Sequence, residues 1–330
     1  MVILVTGATG AVGPSVVHAL HDAGHRIRTL SLDPPQQGLL YNDVEVLIGD
    51  VTDPSAVQSA IHGVDAVIHL AALLHIVNPP PELREKYEKI NVGGTATVVE
   101  AAVKAEVKRV VLASTIAVYG PSNGRILNED TPPHPDTFYA RTKLAAEKII
   151  LNAKCADDRL IGTVLRFGAV YGSRIKGNYE RLVKALARNR FIPIGKGYNR
   201  RTLVYDKDAA RAVSLAVQHP AAAGKIFNVT DGQFHSLTEI IAAISAALGR
   251  KPPQFSIPVA PVRIAAGMIE DAMRLIGRQS PIGRATIDKY TEDIAVEGKR
   301  VQTELGFRPR FDLRAGWRET VQEMRTAGDL

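Results

Sequence analysis

The sequence predicts an α/β protein: a doubly wound parallel sheet followed by a smaller C-terminal lobe. Three observations lead there. Short apolar, β-branched runs alternate with helical stretches through the first half. Three glycines stand where the first run passes into the first helical stretch. After Phe167 the alternation gives way to glycine-, arginine- and proline-marked segments.

In order, Val2 to Val5, Arg26 to Leu30, Val44 to Ile48, Ala66 to Leu70, Val110 to Ser114 and Gly162 to Phe167 read as strands, most of them continuous apolar runs suited to a buried parallel sheet. Helices are expected at about Val12 to Ala23, Pro54 to Ile61, Arg84 to Ala105 and Phe138 to Asn152. The expected division is a nucleotide-binding domain over residues 1–167, with strands returning from about 202–232, and a mainly substrate-binding lobe over 168–330. Thr202 to Tyr205 and Lys225 to Val229 are the candidates to return to the main sheet.

The chain has 330 residues, and its 45% hydrophobic content can fill a sizeable core. Its single cysteine, Cys155, can form no internal disulfide and has no Cys/His spacing of a metal site near it, so a reducing compartment and no metal are expected. The first apolar stretch, Met1 to Thr6, is far shorter than a signal or membrane span, so a soluble, cytoplasmic chain without membrane association is expected. The net charge of +7 is scattered and aromatics make up only 5%, which argues against nucleic acid and leaves an anionic small molecule open.

The segment Thr6-Gly-Ala-Thr-Gly-Ala-Val-Gly13 joins the first strand to the first helix. Gly7 permits a tight turn, Gly10 lets backbone approach a pyrophosphate, and Gly13 lets helix and strand pack closely, with helical N–H groups facing the anion. This is the dinucleotide-binding turn of a Rossmann-type fold. At the end of the second strand, Asp33 would accept hydrogen bonds from the adenosine ribose and repel a 2′-phosphate, favouring NAD. Asp33 could equally cap the Pro34-Pro35 turn, and Arg28 keeps NADP open. Asp50 ends the third strand, as an adenine contact or as a turn residue.

With that turn, Asp50-Val51, His69-Leu-Ala-Ala72, Asn91-Val-Gly-Gly-Thr95, Ser114-Thr115 before Val118-Tyr-Gly120, Tyr139-Ala-Arg-Thr-Lys143 and Leu165-Arg166 before Val170-Tyr-Gly172 resemble the extended short-chain dehydrogenase/reductase family. Gly177-Asn178, Arg201-Thr-Leu-Val-Tyr205 with Asp208, Phe227 to Gly232 and Leu305 to Pro309 resemble its nucleotide-sugar epimerase, dehydratase and reductase branch. The resemblance covers nearly the whole chain. It implies cofactor contacts at Gly7, Gly10, Ala11, Val12, Gly13, Asp33, Asp50, Val51, Leu70, Ala71, Ala72, Asn91, Tyr139 and Lys143.

Tyr139 and Lys143 lie four apart on a helix, so both project from one face. A free tyrosine, with a pKa of roughly 10, is too weak a base at neutral pH, and a nearby ammonium and a positive nicotinamide ring would favour its phenolate. The resemblance places Thr115, rather than Ser114, at the hydroxyl that steadies the reacting oxygen; either could instead satisfy backbone at its strand end. It also implies that Asn178 and Arg201 hold a substrate diphosphate, a task that suits a guanidinium.

Two departures bear on the substrate. Ala169 stands where many members have Asn, and Ile287-Asp-Lys-Tyr290 replaces an Arg-x-Gly-Asp segment, leaving Lys289 or Arg284 as substitutes for a second diphosphate arginine. The resemblance implies a nucleotide-sugar 4-epimerase acting on a UDP-hexose. Its rivals are a 4-keto reductase using NAD(P)H, a steroid or aldehyde reductase, and a cofactor-sensing regulator. It also implies a homodimer, through the helices at Arg84 to Ala105 and Phe138 to Asn152.

Overall fold

The computed structural model describes residues 1–74, 81–276, 278, 280 and 283–330. Its first strand, β1 (Val2–Thr6), shows why the sheet is double-sided. Ile3 and Val5 bury in one core and Leu4 in the other, as expected of a parallel strand covered by helices on both faces. The chain continues through α1 (Gly13–Asp22), β2 (Arg26–Ser31), β3 (Glu45–Ile48), α2 (Pro54–Ile61), β4 (Ala66–His69), α3 (Pro81–Tyr87), a π-helical segment Glu88–Gly93, α4 (Gly94–Lys104), β5 (Arg109–Thr115), α5 (Phe138–Leu151) and β6 (Gly162–Phe167). There follow β7 (Ala169–Tyr171), α6 (Asn178–Ala187), β8 (Arg200–Arg201), β9 (Leu203–Tyr205), α7 (Asp206–Gln218), β10 (Lys225–Val229), β11 (His235–Ser236), α8 (Leu237–Ala247), α9 (Val259–Leu275), α10 (Arg284–Thr291), α11 (Lys299–Leu305) and α12 (Leu313–Thr326).

Seven strands form one parallel sheet in the order β3-β2-β1-β4-β5-β6-β10. This is a Rossmann-type sheet. Residues of α1, α7 and α11 fill the core on one face, and those of α2, α4 and α5 the core on the other. The strand order reverses between β1 and β4, which opens a crevice beyond their carboxyl ends. A third core joins β7, β9, α6, α8 and α12, where Trp317 stacks on Tyr171 with ring centroids 4.4 Å apart.

Two expectations are corrected. Leu203–Tyr205 does not enter the main sheet but pairs in parallel with Ala169–Tyr171, because β10 already occupies the free edge of β6. The helix expected from Arg84 to Ala105 is interrupted by the π turn at Glu88–Gly93. Such turns re-aim side chains and recur at functional sites. Among the described residues no helix is long and apolar enough to cross a membrane.

A buried ion pair fastens α5 to β6. Arg166 donates to both carboxylate oxygens of Glu147, with Nη2 to Oε2 at 2.6 Å and Nε to Oε1 at 3.0 Å, and its guanidinium lies 4.7 Å from the Tyr119 ring centroid. Ser114 donates to the same carboxylate. Removing one partner of such a pair strands a buried charge. Glu147→Ala should therefore lower unfolding stability by about 3–5 kcal/mol, read by urea denaturation; a loss below ~1 kcal/mol would mean that water reaches Arg166 freely.

Candidate active site

The glycine turn is built by close approach. Gly7 has φ +72°, and a Cβ there would stand 2.7 Å from Ala71 N; at Gly13 it would stand 2.2 Å from Ala8 O. At Gly10 it would meet only the Gly7 carbonyl, at 3.1 Å, so the outer side of the turn is open. Ala11 and Val12 complete the turn, and α1 begins with neither a side-chain cap nor an acidic residue. Its N-terminal N–H groups are thus left to an anion. The cradle fits a dinucleotide pyrophosphate: every side that lacks a side chain either touches backbone or faces the crevice.

At the ribose end, the Asp33 carboxylate is exposed and makes no hydrogen bond or ion pair among the described residues, so it does not cap the Pro34-Pro35 turn. Arg28 points elsewhere. Its guanidinium donates to the carbonyls of Ala60 and His62 at the carboxyl end of α2 and pairs with Glu45 at 2.8 Å. Asp50 acts as a turn residue, accepting from Thr52 N at 2.8 Å. Val51 is buried, and a Cβ on Gly94 would meet it at 2.9 Å, so its side chain belongs to the core.

A continuous line of hydrogen bonds links the glycine turn to Tyr139. Ala71 N donates to Thr6 Oγ1 at 3.3 Å, and Thr6 Oγ1 lies 2.7 Å from His69 Nδ1. His69 Nε2 lies 3.1 Å from Thr95 Oγ1, which donates to Asn91 O at 2.6 Å. Burial, and then the charge of Lys143, push the His69 pKa down to about 3, so the ring is neutral. Because Thr95 spends its proton on Asn91, His69 must donate from Nε2 and accept at Nδ1 from Thr6. Asn91 Nδ2 then donates to Thr142 Oγ1 at 3.1 Å, and Thr142 donates to Tyr139 O at 2.9 Å. Asn91 also exchanges hydrogen bonds with both backbone groups of Leu73, which fixes the strand end that carries Leu70, Ala71 and Ala72.

Thr137 caps α5 by accepting from Ala140 N at 3.2 Å, and Tyr139 and Lys143 stand in its first turns. Burial raises the Tyr139 phenol to about 12, with Tyr87 adding to the effect; the two rings meet edge-on at 6.3 Å between centroids. Tyr87 donates to Leu74 O at 2.5 Å. Lys143 is buried, which lowers its ammonium to about 8 against the opposing pull of Glu147. Thr115 Oγ1 accepts from Ala117 N at 3.2 Å and keeps its own proton to donate, whereas Ser114 is committed to Glu147. Thr115, Tyr139 and Lys143 therefore present one hydroxyl donor, one protonated phenol and one buried cation.

The substrate side is held differently. Arg201 Nη2 donates to the carbonyls of Lys289 and Tyr290, both at 2.8 Å, and Asn178 Oδ1 accepts from Arg181 at 2.6 Å. Lys289 pairs with Asp136 at 2.6 Å, just before the α5 cap, and Arg284 pairs with Asp271 at 2.7 Å. Both substitutes for the absent diphosphate arginine are thus engaged by carboxylates. His69, Thr95 and Arg166 stand in motifs quoted from the sequence but were given no role there, and Tyr87 and Glu147 were not singled out. A polar side chain ending an otherwise apolar strand was the available signal for His69 and Arg166; Tyr87 left none.

The turn, the Tyr/Lys helix and the switch-point crevice define a dinucleotide-dependent enzyme of the short-chain dehydrogenase/reductase type. Residues 3–230 match the NAD dependent epimerase/dehydratase family, and the chain belongs to it; NAD is its cofactor. The chain is 27% identical to the N-acetyl-alpha-D-glucosaminyl-diphospho-ditrans,octacis-undecaprenol 4-epimerase of Escherichia coli O157:H7, over 97% of this chain and 94% of that one. It is 25% identical to the UDP-glucose 4-epimerase of Vibrio cholerae over the same shares. The solved structure of MoeE5 in complex with UDP-glucose and NAD superposes with a TM-score of 0.78 at 26% identity, covering 99% of each chain.

The ribose end yields a direct expectation. NAD(H) should bind more tightly than NADP(H) by fluorescence quenching; Asp33→Ser should narrow that gap, and Arg28→Ala should leave it alone. A preference that follows Arg28 instead would place the ribose elsewhere.

Proposed function

We propose that the chain is a 4-epimerase of a hexose carried on a diphosphate. It would oxidise the C4 hydroxyl transiently and return the hydride to the opposite face. The arrangement of Thr115, Tyr139 and Lys143 at one end of the sheet carries this reading. Tyr139 takes the C4 hydroxyl proton and later returns it, Thr115 donates a hydrogen bond to the oxygen as it becomes a carbonyl, and Lys143 favours the phenolate. When bound, NAD supplies a hydride acceptor and a positive charge, which oppose the effect of burial on the phenol.

The turn residues Gly7, Gly10, Ala11, Val12 and Gly13 would hold the pyrophosphate, and Asp33 the ribose. Asn178 and the unoccupied guanidinium nitrogens of Arg201 would meet the substrate diphosphate. Two relatives aligned over 97% of this chain are named as 4-epimerases, one of a UDP-hexose and one of a polyprenol-linked sugar, and both substrates present a diphosphate-linked hexose. With only one diphosphate arginine in place, the group beyond the diphosphate is recognised loosely. A homodimer through α4 and α5 and a cytoplasmic location complete the proposal.

Tyr139→Phe should cut turnover by at least ~100-fold, the low end for a general acid/base, while NAD still binds; near-normal turnover would end the mechanism. The enzyme should also interconvert a UDP-hexose, or its lipid-linked counterpart, with the C4 epimer without stoichiometric change in NADH absorbance. If NADH is consumed only when a 4-keto sugar is supplied, and no epimer forms, the chain is instead a 4-keto reductase.

A further inference from the structure

The helix α9 exposes large apolar side chains that a surface helix ordinarily buries. Its buried residues are only Ala266 and Gly267, and ion pairs, largely exposed, tie it to α10. Gly267 is buried, and a Cβ there would meet the Arg284 guanidinium at 2.6 Å; Glu270 and Asp271 pair with Arg284, and Arg263 pairs with Asp288 at 2.7 Å. The outer side is apolar and in water. Ile264 is 63% exposed, Met268 62%, Ile269 51% and Leu275 89%, and Ile276 just beyond is 66% exposed. Ile264, Met268 and Leu275 fall on one stripe along a 17-residue helix, roughly 25 Å long, and Ile269 and Ile276 lie about a quarter-turn to one side of it. Phe255, 86% exposed, stands in the segment leading into it.

Cations flank the stripe. Arg250 and Lys251 precede the helix, and Arg274 and Arg278 lie at its end; all four are exposed, and none pairs with a carboxylate among the described residues. Both acids of the helix are held by Arg284. An apolar stripe bordered by free cations matches an anionic lipid surface, into which such a helix settles lengthwise. A second copy of this chain would bring the same cations against each other. The place of the helix matters too, since it packs on α10, whose Lys289 and Tyr290 carbonyls hold Arg201 and whose Lys289 side chain holds Asp136 ahead of Tyr139.

We propose that the outer face of α9 docks on an anionic lipid surface and, resting on the reading of a diphosphate-linked hexose as substrate, that the hexose arrives on a lipid anchor in that surface. This departs from the expectation of no membrane association. That expectation came from the lack of a spanning segment, and a helix lying in the interface needs none.

The test uses the full chain and the triple variant Ile264→Ser, Met268→Ser, Leu275→Ser, whose sites face water and whose folding is checked by thermal melting. Co-sedimentation with phosphatidylglycerol/phosphatidylcholine vesicles should show binding that the triple variant loses by at least ~10-fold, and that pure phosphatidylcholine weakens. Epimerisation of a free UDP-hexose should be the same in both proteins, whereas that of a polyprenyl diphosphate N-acetylhexosamine in vesicles should fall in the variant. Absence of vesicle binding by the unmodified chain overturns the docking, as does self-association that depends on the same three residues while vesicles are ignored. Vesicle binding with no epimer from either substrate would leave the docking standing and remove the lipid-anchored substrate together with the epimerase reading.

Discussion

The neutral imidazole of His69 is the constraint on which the site depends. It sits at the end of β4, fully buried, between the hydroxyls of Thr6 and Thr95. One ring nitrogen must accept and the other must donate for the line from Ala71 to Tyr139 to close. A protonated ring would face Thr6 with a donor where an acceptor is needed, and would add a second buried cation near Lys143. Burial keeps the ring neutral, so that it can accept from Thr6 at one nitrogen while it donates to Thr95 from the other. The glycine turn, the end of β4, the π turn at Asn91 and the first turn of α5 are thereby held as one unit.

Much of this was legible in the sequence, for separable reasons. Continuous apolar runs mark strands buried on both faces, and six such runs became the first six strands of the sheet. Gly7 and Gly13 are legible because each answers a steric demand that no other residue meets, and Gly10 because it leaves the outer side of the turn open. The π turn was not, since apolar spacing around Val98 and Ala102 reads as unbroken α-helix; the turn arises from Asn91 being drawn inward to Leu73 and Thr142. The edge taken by β10 could not be read either. Leu203 to Tyr205 has the composition of a sheet strand, and only competition for the one free edge of β6 excludes it. Arg28 and Asp33 were both plausible at the ribose end by sequence proximity, and what separates them is direction: one is bound to carbonyls at the end of α2, and the other is open.

The charges behind Tyr139 follow a similar economy. Lys143, one turn along α5 from Tyr139, is countered by the Glu147 carboxylate, which is itself held by Arg166 and Ser114. The carboxylate supports the ammonium. Isolated, either charge would be expensive to bury; together they orient α5 on β6 and keep Lys143 cationic near neutrality.

The substrate side obeys a different logic. Arg201 lies on a two-residue strand, and its guanidinium is steadied by two backbone carbonyls of α10 rather than by a carboxylate. Carbonyls orient the group without neutralising it, so its charge stays available to an anion. Arg200, beside it, is neutralised by Asp293 at 2.6 Å and serves the fold. The two neighbours are thus held differently: Arg200 fastens the lobe through a carboxylate, and Arg201 is oriented by carbonyls alone. Thr115, Tyr139 and Lys143 stand on a strand and a helix tied into the sheet, while Arg201 stands on a short ribbon held by α10. On the proposed 4-epimerase reading, that separation would let the same chemistry at C4 be combined with different carriers beyond the diphosphate, and the helix resting on α10 would be the part of this chain most directly placed to select among them.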